Sequence, residues 1–380
     1  MAELSWTAWA LIVAALILGI LAGHFGWGRR WPKRFGRMHP DYLAGLDYLV
    51  SEQPDRALDM FLKLMDASSD TIETHFALGT LYRRRGEVER AIRIHQNLLA
   101  RETLAQEHRE QALLALAQDH LRAGLLDRAE RLLRQVSEVP RLRASALDAL
   151  RGVYERQHEW QQALDTYREL ARIKGAPARV VAAHYLCELA TLATGRGAIE
   201  AARGLLREAR AEAAPFPRAA LLRAEIAERE SERELALRLV RRALAESPGL
   251  VQEELPHLLR LAGEERRDEV LSELAAAANA HGIGELKNLI FAAIGAGLVS
   301  AAPLRAAIET VFEKDATLCA MWNAAGGQLE RVAQEIGALL AHAERYRCSE
   351  CGFSARSFYW HCPACQSWET FETYAVVKLR

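Results

Sequence analysis

Residues 75–96 read HFALGTLYRRRGEVERAIRIHQ, and the fold follows from this stretch. Gly79, Tyr82, Ala91 and His95 repeat, 34 residues on, the earlier set Gly45, Tyr48, Ala57 and Phe61. Self-similarity at such a period marks stacked supersecondary units, each unable to bury its apolar face alone. The small residues belong where two antiparallel helices cross closely, and the large ones fill the gap beside them. The alanine of the second helix recurs at Ala129, Ala163, Ala202 and Ala236, in steps of 38, 34, 39 and 34 from Ala91. The two longer steps are taken up by loops at 101–106 and 175–177. Tyr154 and Tyr167 fit the fourth unit, and Pro248 ends the sixth, because proline cannot continue a helix.

This is the tetratricopeptide (TPR) spacing. It predicts a mainly α solenoid of about six repeats over residues 39–249. From 250 to 343 the period fades, with Pro256, Gly282, Gly284, Gly297 and Pro303 as punctuation. Three or four helices in degenerate repeats are expected there. The first helices of such arrays line a concave groove. With Gly45 and Gly79 at the eighth repeat position, the groove-facing candidates in the second unit are Glu73, Phe76, Thr80, Arg83 and Arg84. The third unit offers Gln118 and Arg122, the fourth Asp148, Glu155 and Arg156, and the fifth His184 and Thr191. Cys187 maps to the same row and reads as packing.

Ahead of the repeats, residues 4–27 carry no charge and would span about 36 Å as a helix, enough for a hydrocarbon core of about 30 Å. Trp6, Trp9 and Trp27 fall near its ends, where interfacial aromatics belong. A cleaved signal puts its basic residues first. Here Glu3 precedes the run, and Arg29, Arg30, Lys33, Arg34 and Arg37 follow it. The reading is an uncleaved single-pass anchor at 1–28 and a basic linker at 29–38, with the N-terminus outside and the rest cytoplasmic.

At the other end, residues 346–368 read YRCSECGFSARSFYWHCPACQSW. Cys348 and Cys351 form one C-x-x-C turn and Cys362 and Cys365 another, ten residues apart. Two such turns facing each other make a tetrahedral S4 site for one metal ion, with zinc favoured over iron. Four thiolates close the coordination sphere and leave no position for a catalytic water. His361 is a fifth candidate ligand that four thiols make unnecessary. The aromatics around the site (Phe353, Phe358, Tyr359, Trp360 and Trp368) either stack on nucleic acid or pack residues 344–380 against the last helices.

The net charge of −1 gives no general attraction for nucleic acid, and no nucleic-acid partner is expected. Half the residues are apolar and 26 % are charged, which suits a folded chain. Phosphate-cradling loops, nucleophile elbows and HExxH helices are missing, so no enzyme core is expected.

On the run 75–96, the stretch 346–365 with Tyr359-Trp-His-Cys-Pro-x-Cys365, and the anchor–repeat–knuckle order, the chain resembles the lipopolysaccharide assembly protein B family. The resemblance implies a rubredoxin-like metal domain and a non-catalytic adaptor at the bacterial inner membrane. Such an adaptor brings the lipid A deacetylase LpxC to the membrane protease FtsH, alongside other inner-membrane envelope-synthesis proteins. The other reading of the same residues is a rubredoxin-like electron-transfer protein on a TPR scaffold.

Overall fold

The computed structural model describes residues 72–175 and 179–373, with isolated positions between 44 and 60. The expected anchor and basic linker lie outside the described residues. Among the described residues no helix is long and apolar enough to cross a membrane.

The chain divides into two compact units, the first ending at Val139. In the first, α1 (Ile72–Arg84) pairs with α2 (Val88–Leu99), and α3 (Gln106–Arg122) with α4 (Leu126–Ser137). Ala57, Ala91 and Ala129 are fully buried, as close helix crossing requires. At Gly79 the reason for the small residue is visible. A Cβ there would stand 2.5 Å from Nε2 of the buried His95. His95 cannot yield, because its Nδ1 is held 2.5 Å from Asp119 Oδ2. Asp119, also buried, takes a second bond from Arg83 Nη1 at 2.7 Å. Two successive repeats are thus pinned by a buried carboxylate. Buried charge persists only where it is paired and hydrogen-bonded in this way.

The second unit, from Pro140 on, starts with three helix pairs. These are α5 (Arg143–Gln157) with α6 (Trp160–Lys174), α7 (Val180–Gly195) with α8 (Ile199–Glu212), and α9 (Pro217–Arg229) with α10 (Arg233–Glu246). Ala163, Ala202 and Ala236 are fully buried at their crossings. A 3-10 turn at Pro248–Leu250 follows, where the sixth repeat was expected to end.

Beyond residue 250 the chain departs from expectation. There are six helical segments among the described residues, not three or four. The first two form α11 (Val251–His281), broken at Gly263, and then come α12 (Ile283–Gly295), α13 (Arg305–Lys314), α14 (Ala316–Ala324) and α15 (Leu329–His342). Pro256 does not break its helix. The break comes at Gly263, whose φ of 71° puts it in the left-handed region. There Arg233 donates to the carbonyls of Leu261 at 2.6 Å and Arg260 at 3.0 Å. Its guanidinium caps an interrupted helix whose last carbonyls have no intrahelical partner. The boundary before α14 is set by Asp315, whose carboxylate accepts from the N–H groups of Thr317 and Leu318 at 3.1 Å. That is an N-cap. One continuous apolar core runs from Ala220 to Ile336 through these helices.

Candidate metal centre

After α15 comes a three-stranded antiparallel sheet with β1 (Tyr346–Cys348) between β2 (Ser354–Ala355) and β3 (Phe371–Thr373). Register is fixed by Arg347 opposite Ser354 and Cys348 opposite Phe371. The sheet is too small to hold itself together by burial, and two turns built alike complete it. In the first, Cys348 O accepts from Gly352 N–H at 2.9 Å, and Cys348 N–H donates to Phe353 O at 2.8 Å. In the second, Cys362 O accepts from Gln366 N–H at 2.9 Å, and Cys362 N–H donates to Ser367 O at 2.9 Å. Each turn needs a left-handed residue directly after its second cysteine. Gly352 supplies φ +75° at no steric cost. Gln366 adopts φ +63°, and its side-chain amide donates to Pro363 O at 3.1 Å.

The turns aim four sulfurs at one point. Cys348 and Cys365 Sγ are 3.7 Å apart, Cys351 and Cys362 Sγ 3.8 Å, and all four lie within 4.8 Å of one another. A metal–thiolate bond of about 2.3 Å gives a tetrahedron with edges of about 3.8 Å. The two short edges match it, so the donor set fits one tetrahedral ion held by Cys348, Cys351, Cys362 and Cys365. Burial opposes ionisation of the Cys348 thiol. Thr370, with Oγ1 at 3.2 Å, and the backbone N–H groups of Cys351 and Glu350 outweigh it and bring the thiol down to about 6. Ser367 lowers Cys365 likewise. Cys351 and Cys362 are shifted the other way, up, because thiols packed this closely oppose one another's ionisation. Thiolates are the ligand form, and a bound cation would favour all four. Zinc and ferric or ferrous iron satisfy these distances equally.

The knuckle's outer face is docked on the repeats of its own unit. Trp368 Nε1–H donates to Glu155 Oε1 at 3.0 Å. The same oxygen accepts from Tyr185 Oη–H at 2.5 Å and Arg151 Nη1–H at 2.9 Å. Glu155 is 3 % exposed, so one buried carboxylate collects donors from α5, α7 and the knuckle. Trp368 is also sandwiched between His184, with centroids 4.6 Å apart, and His361 at 4.2 Å. The tautomer of His184 follows from its neighbours. Arg218 Nη1 lies 3.0 Å from Nδ1 and can only donate, so Nδ1 accepts and the proton sits on Nε2, which donates to Glu369 at 3.0 Å. Burial and the Arg218 charge outweigh the acceptor Glu369, and the His184 pKa is lowered. Arg218 also lies over the rings of Trp360 and Trp368 and pairs with Glu188 at 2.5 Å.

The structure corrects the expected groove at four positions. Glu155 and His184 face polypeptide, but that polypeptide is the chain's own knuckle. Arg83 is committed to Asp119. Phe76 sits between the rings of His95 and His108, a packing position. Glu73, Arg84, Arg122, Asp148, Arg156 and Thr191 are exposed, and Thr80 and Gln118 half-buried. The buried Cys187 has its thiol pushed up to about 12, as packing alone would do. Phe358 and Trp360 pack against the C-terminal core, and Trp368 carries the knuckle onto the earlier repeats as well. Trp368 was among the aromatics expected to pack the knuckle, but its partners Arg151, Tyr185 and Arg218, and Glu369 beside it, were not. Their signal was present as more aromatics than a 30-residue knuckle can bury by itself.

The rubredoxin metal binding domain family matches residues 346–373, and the tetratricopeptide repeat family matches 74–110 and 146–180. Over 371 residues the chain is 30 % identical to lipopolysaccharide assembly protein B of Escherichia coli (strain K12), covering 93 % of this chain and 95 % of that protein. It is 27 % identical over 389 residues to lipopolysaccharide assembly protein B of Haemophilus influenzae, covering 95 % and 98 %. Among solved structures, the C-terminal part of a TPR repeat-containing protein from Cytophaga hutchinsonii covers 70 % of this chain and 98 % of its own, at 10 % identity and a TM-score of 0.42.

Proposed function

Since the chain belongs to the lipopolysaccharide assembly protein B family, we propose that it is a non-catalytic inner-membrane adaptor that regulates lipopolysaccharide synthesis by presenting LpxC to FtsH. The observation that carries this reading is the shared length: the likeness to named family members runs through repeats and knuckle together. Anchor, array and knuckle then have one task each. Residues 4–27 span the membrane with the N-terminus outside and hold the array beside a membrane protease. The exposed candidates of the first unit, Glu73, Arg84 and Arg122, with the half-buried Thr80 and Gln118, offer a mixed-charge face to a client. The metal is structural, with zinc as the expected ion. A closed S4 shell adds no Lewis-acid chemistry, and when bound it fixes the two turns that present Trp368 and Glu369 to the repeats.

The experiment is affinity capture of the intact chain from bacterial membranes, with captured proteins identified and metal quantified in the same sample. LpxC and FtsH recovered with one zinc per chain is the expected result. Neither protein recovered, with redox-active iron in the site, would replace the adaptor with an electron carrier.

A further inference from the structure

Among α8, α9 and α10 lies a concavity of about 270 Å3 that neither the metal centre nor the proposed client face uses. Its apolar lining is Ile226, Ala227, Leu235 and Leu239. Its charged lining is Arg203 and Arg207 from α8, Arg223 from α9, and Glu232 at the turn into α10. Most of these residues belong to α8 and α10, the second helices of their pairs, so this is not the groove of the first helices.

The three arginines differ in what they hold. Arg203 is committed to Glu200 at 2.8 Å and to Glu230. Arg207 and Arg223 have no carboxylate partner among the described residues. On the same three helices Arg210, Arg218, Arg241 and Arg242 each hold a carboxylate. Two unpaired guanidiniums lining one small concavity raise each other's energy until an anion joins them. A guanidinium fork fits carboxylate and phosphate alike. The rest of the lining separates the two. Glu232 would repel a phosphate dianion, whereas a peptide brings backbone N–H groups that a carboxylate can accept. Leu235, Leu239 and Ile226 offer an apolar side chain a place that a phosphate group would leave empty.

We infer that this concavity is a peptide-binding site, taking an acidic segment of a partner protein with its carboxylates on Arg207 and Arg223 and a neighbouring apolar side chain on Leu235 and Leu239. It belongs to the second unit, whereas the exposed client candidates belong to the first, and it would take such a segment whichever client the array carries.

The test uses the full-length protein in detergent micelles and the fluorescence anisotropy of a labelled peptide, Glu-Gly-Leu-Gly-Glu, whose alternate residues share one face when extended. This peptide should bind about tenfold more tightly than its glutamine analogue, because charge-assisted bonds to the forks are lost in the analogue. Arg207→Gln with Arg223→Gln should abolish that preference. Arg229→Gln with Arg238→Gln removes two other cations of the same helices, both outside the concavity, and should leave the preference intact. Arg207→Glu with Arg223→Glu should prefer the lysine analogue, a gain that a misfolded chain would not show. Equal binding of the glutamate and glutamine peptides would overturn the inference, as would equal losses in the two glutamine variants or no reversal in the glutamate variant. Displacement of the peptide by equimolar inorganic phosphate, or capture of phosphatidylglycerol vesicles that depends on Arg207 and Arg223, would overturn it in favour of a phosphate site.

Discussion

Trp368 reaches across 213 residues of chain to donate its indole N–H to Glu155 at 3.0 Å. That single bond joins the metal knuckle to the fourth repeat, and the same carboxylate oxygen serves Tyr185 and Arg151. It turns a surface-type i,i+4 pair, Arg151–Glu155, into a buried hub.

Glu155→Ala should therefore be costly. It leaves the Trp368 and Tyr185 donors without their acceptor and Arg151 with Asp148 as its remaining carboxylate, at about 1–3 kcal/mol for each buried donor left unpaired. Trp368→Phe removes one donor and keeps most of the ring, at about 1–3 kcal/mol. Hydrogen exchange in residues 346–373 should rise in both variants, and more in Glu155→Ala. In the double variant the effects should fall short of additive, because both changes remove the same bond.

The docking should weaken on acidification. His184 is held neutral, its pKa depressed below the ordinary 6.5 by burial and by Arg218, while Glu369 and Glu188 only partly offset this. The undocked histidine binds more protons, so this contribution is complete above pH 6.5 and is lost as pH falls below it. His184→Gln keeps an acceptor for Arg218 and a donor for Glu369 without titrating. Between pH 7.5 and 5 the knuckle's proteolytic protection should fall more steeply in the wild type than in this variant. Equal slopes would remove His184 as the cause.

Removing the metal should release the knuckle and spare the repeats. Folding of such small domains draws about 10–16 kcal/mol from metal binding, whereas the helices rest on an extensive apolar core of their own. Chelation, or Cys348→Ser, should expose residues 344–373 to protease while far-ultraviolet dichroism stays within about a tenth of its starting value.

In the first unit, Gly79→Ala decides between two opposed effects. Alanine is favoured over glycine in a helix by about 1 kcal/mol. Here its Cβ would stand 2.5 Å from the His95 ring, which Asp119 holds. Overpacking of this kind costs about 1–3 kcal/mol. The net should be destabilising, with a lower melting temperature, and the loss should be smaller when Gly79→Ala is made in a His95→Ala background, which lacks the ring the new methyl would meet.

Much of this was legible in the sequence because it was local or periodic. The alanines at 91, 129, 163, 202 and 236 are fully buried where the repeat demanded small residues. The C-x-x-C turns specify their own geometry within five residues. The rest depends on residues far apart. Nothing near Glu155 distinguishes it from the solvated Arg/Glu pairs along the other helices until Trp368 arrives. The break at Gly263 is filled by Arg233 from another helix, while Pro256, the stronger local signal, is accommodated. Gln366 takes a left-handed turn that glycine marks in its twin, so the symmetry of the two knuckle turns is hidden.

The adaptor role is tested most directly by the half-life of LpxC in membranes containing FtsH. Measurements would compare the full chain, a chain lacking residues 1–28, and no added chain. The prediction is rapid loss of LpxC only with the full chain, and at least fivefold slower loss without the anchor. Equal half-lives in all three, or equally fast loss with the soluble form, would contradict it.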